Sequence, residues 1–262
     1  MPRLYPLFSG SSGNCYYLGS QEEGVLVDIG RSARQICRAL QERSLRPEGV
    51  RAVLITHEHI DHVQGLRVFA GQYGVPVYAS AGTVHALQQK GLADERTELI
   101  AIGERGVELD DMFIRPFAIS HDCAQGYGYR IETRDSRSTS FVTDTGVFTP
   151  EMRRALSGSD TVVLESNHDE GMLRCGPYPY PLKQRILSEV GHLSNEASAQ
   201  EAVGLVRSGC TRLLLAHLSR ENNLPLLAEQ TACSFLEREG MKRGRDYLLQ
   251  VAGENGSSMM LY

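Results

Sequence analysis

Residues 56–62 read THEHIDH and directly follow the apolar run Val53-Leu54-Ile55. Three histidines and one aspartate therefore lie within six positions at the end of a predicted strand. Imidazole and carboxylate groups suit Zn²⁺, Mn²⁺ and Fe²⁺. A lone histidine is usually a solvated polar residue, whereas four ligand-type side chains at this spacing indicate a metal site. Four donors exceed what one ion takes while keeping a position open for water, so the cluster is compatible with two ions.

Size and composition describe an ordinary soluble globular chain. It has 262 residues, 41% of them hydrophobic and 23% charged, which allows one large domain or two small ones. A core of this size needs no disulfides. The six cysteines are scattered without a CxxC pair, so neither a zinc ribbon nor a redox motif is indicated. The net charge of −5 neither indicates nor excludes a nucleic-acid partner, since local cations or bound metals could attract an anion.

Targeting signals are missing from the sequence as given. The apolar runs are far shorter than the roughly 18 residues of a membrane span. The first residues, MPRLYPLFSGSSGN, lack a secretory apolar region and cleavage pattern. We therefore expect a cytoplasmic protein with reduced thiols and no membrane partner.

Strand-like and helix-like patterns alternate along the chain. Helices are predicted at 32–44, 64–73, 81–90 and 195–207, and from Pro225 to before Gly240. Strands are predicted at 51–56, 75–79, 113–120, 127–133, 139–143, 161–165 and 212–216. Strands in two blocks with interleaved helices predict a single α/β layered domain over residues 1–262 with two sheets.

The segment 167–191 interrupts this alternation. Its GPYPYP core cannot pair in the middle of a sheet, because prolines lack the amide hydrogen that a strand donates. We predict an inserted loop or small lid at 167–191. We predict that His168, at its start, is a solvated loop histidine.

The THEHIDH stretch resembles the hallmark of the metallo-β-lactamase fold, an αββα sandwich of two mixed β-sheets flanked by helices. Further positions match the family pattern at strand ends: Asp28 in LVDIG, His121 in AISHD, Asp144 in FVTDTG and His217 in LLLAHLS. The resemblance spans nearly the whole chain. It implies a metal-dependent hydrolase.

The resemblance also implies a set of metal ligands. His57, His59 and His121 would bind one ion. Asp61, His62 and His217 would bind the other, Asp144 would bridge the two, and Asp28 would orient ligands. The cofactors would be two divalent ions, Mn²⁺ or Zn²⁺ with Fe²⁺ as a further option, and a metal-bridging hydroxide would be the nucleophile. The implied catalytic residues are Asp61, His192, Glu165 and Asp28.

The roles of His192 and Glu165 come from a second resemblance. VLESNHD and GHLSNEASAQEA resemble a stretch of the tRNA 3′-processing endonucleases of the superfamily. This resemblance implies that His192 protonates the leaving oxygen and that Glu165 orients the His192 ring. An imidazole paired with a carboxylate is suited to act as a general acid near neutral pH. His192 could instead cap the following helix with Ser194 or Asn195, and Glu165 could be an ordinary strand-end carboxylate.

The motifs GSSGN, SHD, TDTG, ESNHD, GPYP and GHLSN are together similar to the YycJ/WalJ-type hydrolases of bacteria. This resemblance implies a 5′-to-3′ DNA exonuclease linked to mismatch repair. One alternative is another metallo-β-lactamase-fold hydrolase acting on RNA, a small phosphodiester or a thioester. A non-catalytic scaffold would be expected to have lost ligands. Processing of tRNA is disfavoured because no long arm is evident between Ser138 and Thr161.

Residues that could contact a DNA substrate fall in three places. The SGSSGN loop could offer Ser11, Ser12 and Asn14 to a phosphate, although tight turns use the same residues. Asn222 could bind substrate or cap the last helix. The 167–191 segment carries basic residues that could hold phosphates, beside aromatic ones that could stack on a base, or it could simply pack over the fold. These basic residues are Arg174, Lys183 and Arg185.

Overall fold

The computed structural model describes residues 3–256 and 260–261. The chain divides into two compact units by its backbone contacts. Of the described residues, unit 1 comprises 3–107, 123–127, 253–256 and 260–261, and unit 2 comprises 108–122 and 128–252. The description of the chain as one domain with a lid stays a prediction.

Unit 1 contains a mixed seven-stranded sheet with the order β14-β1-β2-β3-β4-β5-β6. Its strands are β1 (Arg3–Phe8), β2 (Cys15–Gly19), β3 (Gly24–Val27), β4 (Val50–Leu54), β5 (Val77–Ala79), β6 (Leu99–Ala101) and β14 (Met260–Leu261). The pairs from β14 to β3 are antiparallel, and those from β3 to β6 are parallel. Its helices are α1 (Ala33–Gln41), α2 (Ile60–Val63), α3 (Leu66–Tyr73) and α4 (Ala81–Gln89).

Local signals explain the first helix of unit 1. Ser32 and Gln35 form a reciprocal capping box at the start of α1, which satisfies amide groups that a helix start leaves open. Ile36 and Leu40 recur at helical spacing and are fully buried in the core of unit 1. Each such aliphatic side chain contributes roughly 2 kcal/mol on burial.

Unit 2 is built around a second mixed seven-stranded sheet, with the order β13-β12-β11-β10-β9-β8-β7. Its strands are β7 (Val107–Leu109), β8 (Met112–Ala118), β9 (Tyr127–Thr133), β10 (Ser138–Val142), β11 (Thr161–Glu165), β12 (Arg212–Ala216) and β13 (Leu248–Val251). Strands β10 to β13 are parallel, and β9 pairs antiparallel with β10. The helices are α5 (Pro150–Leu156), α6 (Glu170–Cys175), α7 (Tyr180–Ile186), α8 (Asn195–Arg207) and α9 (Pro225–Arg238).

The carboxyl ends of parallel strands carry most of the residues singled out from the sequence. In open α/β sheets this is the edge where ligands bind. Asp28, Asp144 and His217 follow such ends with left-handed φ angles of 59°, 58° and 55°. This backbone costs a non-glycine residue about 1 kcal/mol or more, although Asp and His tolerate it better than most. Strain at all three positions is typical of functional residues.

Several predicted elements coincide with the structure, including the strands β9, β11 and β12 and the helix α8. The helix predicted over 64–73 is wrong in its start, because Gly65 separates α2 from α3. The Gly65 amide bonds the carbonyl of Ile29, while the carbonyl of Asp61 accepts the amide of Asn14. The strands β6 and β7 were not predicted.

The segment 167–191, predicted as an inserted loop or small lid, carries the two short helices α6 and α7. Asp169 caps α6 through the amide of Met172. Proline lacks an amide hydrogen and has a fixed φ, so Pro181 fits the first turn of α7 although it cannot pair in a sheet. Each helix has one buried apolar side chain, Leu173 in α6 and Ile186 in α7.

Among the residues that the structure describes, every helix is too short or too polar to cross a membrane.

Candidate metal-binding site

In unit 1 the residues Thr56–His62, here called the histidine-rich loop, follow β4 and run into the short helix α2. His57 and His62 are fully buried. His57 Nε2 lies 3.0 Å from His59 Nδ1. Two nitrogens bound to one tetrahedral ion at about 2.05 Å would lie about 3.3 Å apart. The spacing of these two imidazoles therefore fits a shared ion.

Asp28 orients the ring of His62. Its Oδ2 lies 2.8 Å from His62 Nδ1, and its Oδ1 accepts the backbone amide of Thr56 at 2.9 Å. The Thr56 hydroxyl donates to the same carboxylate at 3.0 Å and lies 3.0 Å from His57 Nδ1. Burial raises the pKa of Asp28, and the contact with His62 acts in the opposite direction. With Nδ1 bonded to a carboxylate, Nε2 is the nitrogen that His62 offers to a metal.

The SGSSGN loop joins the histidine-rich loop through Asn14. The backbone amide of Asn14 donates to the Asp61 carbonyl, and its Nδ2 lies 3.1 Å from His62 Nε2. A Cβ atom on Gly30 would lie only 1.7 Å from the Asp61 carbonyl oxygen, so only glycine fits there. Asn14 is itself fully buried and supports the site from inside the fold.

Unit 2 holds a second group of side chains, here called the strand-end cluster: His121, Asp144, Glu165, His192 and His217. One donor atom from each of the last four lies within 4.8 Å of the others. Glu165 is the centre of the cluster. Its Oε1 accepts from His192 Nδ1 at 2.8 Å and from His217 Nδ1 at 2.9 Å.

The second oxygen of Glu165 is bound by backbone. Its Oε2 accepts the amides of Thr145 at 2.8 Å and Leu193 at 3.3 Å. Burial would raise the pKa of Glu165, but His192 and the hydrogen bonds from both imidazoles outweigh burial and lower the pKa to about 2. Glu165 is therefore a carboxylate at neutral pH and can orient both rings.

His121 and Asp144 complete the cluster. The Nδ1 of His121 bonds the carbonyl of Gly191 at 3.2 Å. Asp144 Oδ1 lies 3.3 Å from His217 Nδ1 and 3.9 Å from His121 Nε2. Both residues are buried.

A common pattern shows that these residues fit divalent metal ions. The predicted ligands His57, His62, His121 and His217 each have Nδ1 within 3.2 Å of a protein oxygen. This arrangement leaves Nε2 as the coordinating nitrogen, and metal-binding histidines usually show it. His192 has the same contact to Glu165, as expected for an oriented proton donor.

Some supporting residues were not predicted, and one prediction was wrong. Thr56 contacts Asp28 and two imidazoles, although only its position as the first letter of THEHIDH signals this role. His168 is buried rather than solvated, and its backbone pairs with that of Ser194. Burial lowers its pKa to about 4. Asn222 is fully buried and bonds Ser219, so it belongs to the interior.

The basic residues of the 167–191 segment have partners within unit 2. Arg185 donates to both carboxylate oxygens of Asp122, at 2.5 and 2.9 Å. Lys183 donates to the carbonyl of Arg174 at 2.8 Å, and Arg174 to Glu170 at 3.1 Å. These contacts restrain the three cations.

The fold and the ligand pattern agree with comparisons to known proteins. Residues 24–218 match the Lactamase_B_2 family, described as a β-lactamase superfamily domain. The chain belongs to this family. A solved structure of the metallo-β-lactamase-fold protein YhfI from Bacillus subtilis superposes with a TM-score of 0.74, covering 99% of each chain at 17% identity. That likeness concerns the fold alone.

Two relatives narrow the group within the family. Exodeoxyribonuclease WalJ of Streptococcus pneumoniae serotype 2 (strain D39 / NCTC 7466) is 37% identical over 244 residues, covering 92% of this chain and 90% of the relative. Exodeoxyribonuclease YycJ of Bacillus anthracis is 35% identical over 243 residues, covering 92% and 91%. The predicted fold, the membership of the YycJ/WalJ group and the expectation of a hydrolase are confirmed.

Proposed function

We propose that this chain is a metal-dependent exodeoxyribonuclease that degrades DNA from the 5′ end. The proposal is supported by the names of the two relatives, each similar over 92% of this chain. It is also supported by the oriented imidazoles of both units. The cytoplasmic location belongs to the same proposal. The 5′-to-3′ polarity and the link to mismatch repair rest on the resemblance to the YycJ/WalJ group.

The proposed site holds two divalent ions, with Mn²⁺ and Zn²⁺ as the first choices for these nitrogen and oxygen donors. The proposed ligands are His57, His59, Asp61, His62, His121, Asp144 and His217. Two such ions would stabilise the attacking and leaving oxygens of an in-line displacement at phosphorus. The remaining work falls to residues that orient the ligands and move a proton.

The observation that carries the proposal is the double contact of Glu165. One carboxylate oxygen bonds both His192 and His217, so the proposed proton donor and a proposed ligand share one anchor. With Nδ1 bonded to Glu165, the His192 ring can carry a second proton on Nε2 and donate it to the leaving oxygen. A phosphodiesterase needs such a donor because an alkoxide is a poor leaving group. His192 capping the next helix is disfavoured, since the Ser194 side chain takes that role.

The test is a degradation time course on duplex DNA bearing a 5′-phosphate, labelled at either end, with Mn²⁺ and Zn²⁺ compared. We expect the 5′ label to appear at once as mononucleotide and the 3′ label to remain on progressively shorter strands. A small diester, bis(4-nitrophenyl) phosphate, and an RNA duplex serve as rival substrates. Efficient turnover of RNA or the small diester with none of DNA, at either metal, would refute the proposal.

A further inference from the structure

A polar cluster on the outer side of the SGSSGN loop is not used by the metal ligands. It consists of Ser12, Arg31 and Glu254, all in unit 1. Arg31 Nη2 donates to the Ser12 hydroxyl at 2.7 Å, and that hydroxyl donates to Glu254 Oε1 at 2.7 Å. Arg31 Nη2 also lies 3.4 Å from the same carboxylate oxygen.

The guanidinium of Arg31 is fixed in place but only partly used. Its stem lies against Gly13, where an added Cβ would come within 2.8 Å of Arg31 Cδ. Its head lies 5.5 Å from the centre of the Phe8 ring. Within the described part of the chain, the buried Nε of Arg31 has no hydrogen-bond partner. An arginine normally binds a carboxylate or a phosphate through two parallel N–H groups, and here one of the two is open.

The cluster is linked by backbone to the predicted ligands of unit 1. Asn14, two residues after Ser12, contacts Asp61 and His62. The amide of Gly30, next to Arg31, donates to the Asn14 carbonyl at 2.8 Å. Arg31 also follows Asp28 by three positions. An anion held at Arg31 would therefore lie beside the loops that carry the ligands.

We propose that Arg31 and Ser12 form a subsite for a phosphate group of the DNA strand, and that the Glu254 carboxylate stands in for this phosphate in the free protein. The inference rests on the proposed function, which it deepens by naming how the substrate is held. A phosphate oxygen can replace Glu254 Oε1, accept from Ser12 and engage both Nε and Nη2 of Arg31. The Glu254 side chain is 38% exposed, so it can move aside into solvent.

The contacts of the other predicted phosphate binders favour this location. The cations of the 167–191 segment are each engaged by a carboxylate or carbonyl of unit 2. Arg31 has a longer contact of 3.4 Å with its carboxylate and retains an open donor. Because the chain carries a net charge of −5, a local cation beside the ligand loops has particular value for an anionic substrate.

The test compares Arg31→Ala with Arg34→Ala in the metal-loaded enzyme. Arg34 lies three residues away on the exposed surface of α1, so its loss changes the net charge equally. We expect Arg31→Ala to weaken the affinity for 5′-phosphorylated DNA roughly 10- to 100-fold, as for loss of charged hydrogen bonds. The slope of log affinity against log salt should fall by about one, and Arg34→Ala should change neither. Turnover of bis(4-nitrophenyl) phosphate, which has no second phosphate, should be the same in all three proteins.

Two further variants keep the test decisive if Arg31→Ala fails to fold. Glu254→Gln should bind DNA several-fold more tightly because a competing anion is lost, and Ser12→Ala should bind more weakly. Unchanged affinity in both, or an equal salt slope for Arg31→Ala and Arg34→Ala, would overturn the subsite. DNA with a 5′-hydroxyl tells the two sources of phosphate apart. If Arg31→Ala binds 5′-hydroxyl DNA as tightly as the wild type does, the subsite holds the terminal phosphate. If the variant still binds this DNA more weakly, the subsite holds an internal phosphate.

The proposed function and the subsite can fail separately. Fluorescence anisotropy of labelled DNA needs no turnover. A wild-type enzyme that leaves DNA intact would therefore refute the proposed function, while the binding of Arg31→Ala and Arg34→Ala would still decide the subsite.

Discussion

The histidine-rich loop of unit 1 and the strand-end cluster of unit 2 both orient imidazoles through oxygen atoms. They differ in how many rings one carboxylate orients. In unit 1 the carboxylate of Asp28 holds one ring, His62, and Thr56 shares the contacts to both buried histidines. In unit 2 a single oxygen of Glu165 holds both His192 and His217. A substitution at Asp28 should therefore affect only the metal that His62 binds. A substitution at Glu165 should impair both proton transfer by His192 and metal binding by His217.

The largest effect is expected for Asp144→Ala, which removes the proposed bridging ligand from unit 2. Hydrolysis should fall by about a thousandfold or more, since the metals contribute several kcal/mol of transition-state stabilisation. The metal content, measured by mass spectrometry of the purified protein, should also drop. Asp111→Ala, at an exposed carboxylate of unit 2, is the matched control. A full complement of two ions in Asp144→Ala would contradict the assignment.

Glu165→Gln should show the double loss that the comparison predicts. If the new amide oxygen accepts from His192 Nδ1 and His217 Nδ1, the amide nitrogen faces the donating backbone amides of Thr145 and Leu193. If the amide is reversed, its nitrogen donates toward the two rings, so hydrogen bonds that orient them are lost in either orientation. We expect turnover to fall by about 10²- to 10⁴-fold and metal affinity by about 10- to 100-fold. Titration with Zn²⁺ measures the second quantity. Loss of turnover with normal metal affinity would limit Glu165 to the His192 contact.

His192→Ala should lose turnover alone. Without the proton donor, cleavage should slow by about 10²- to 10⁴-fold, while both ions remain bound. A substrate with a good leaving group, such as a 4-nitrophenyl ester, should lose much less, because it needs no proton. His85→Ala, at an exposed position of α4, controls for the loss of a histidine. Near-normal turnover of DNA by His192→Ala would show that His192 is not the general acid.

Asp28→Asn should produce a smaller and more local effect. The new amide would donate toward His62 Nδ1 and drive the ring to the tautomer whose Nε2 carries the hydrogen. Metal affinity should fall by about 10- to 100-fold at the ion that His62 binds. Added metal should restore most of the turnover. An equal loss of affinity for both ions would contradict the expectation that a change at Asp28 affects only the ion that His62 binds.

The smallest effect concerns stability and His168. Burial lowers its pKa to about 4, below the ordinary value near 6.5. In acid the unfolded chain therefore takes up this proton before the folded one. The contribution of neutral His168 to the free energy of unfolding is present above about pH 6.5 and declines as the pH falls toward 4. The loss is roughly 2 kcal/mol between about pH 7 and pH 5. In urea unfolding of His168→Leu, this part of the pH dependence of the free energy of unfolding should be missing. Parallel pH profiles for wild type and variant would contradict it.

The two regions also differ in how far the sequence alone could predict them. The donors of the histidine-rich loop lie within six positions, so their chemistry is visible in one stretch. His121, Asp144 and His217 each follow a different strand, and only the resemblance to a family connects them. Strands such as β11 and β12 were predicted closely because buried parallel strands are continuous apolar runs.

Features that depend on distant contacts escaped prediction for a physical reason. The break at Gly65 arises because Asn14, 47 positions before Asp61, takes the Asp61 carbonyl. Arg31 and Glu254 meet across 223 positions, which no local pattern reveals. His168 stands in a polar, proline-rich stretch, so its burial and the pairing of its backbone with Ser194 are not visible in the local sequence.

Anomalous X-ray diffraction from crystals of the metal-loaded protein, recorded on both sides of the manganese and zinc edges, tests whether the oriented histidines bind two ions. Two anomalous peaks are expected, with the Nε2 atoms of His62 and His217 bound to metal and their Nδ1 atoms still bonded to Asp28 and Glu165. A map without anomalous peaks under saturating metal, or rings that coordinate through Nδ1, would contradict it.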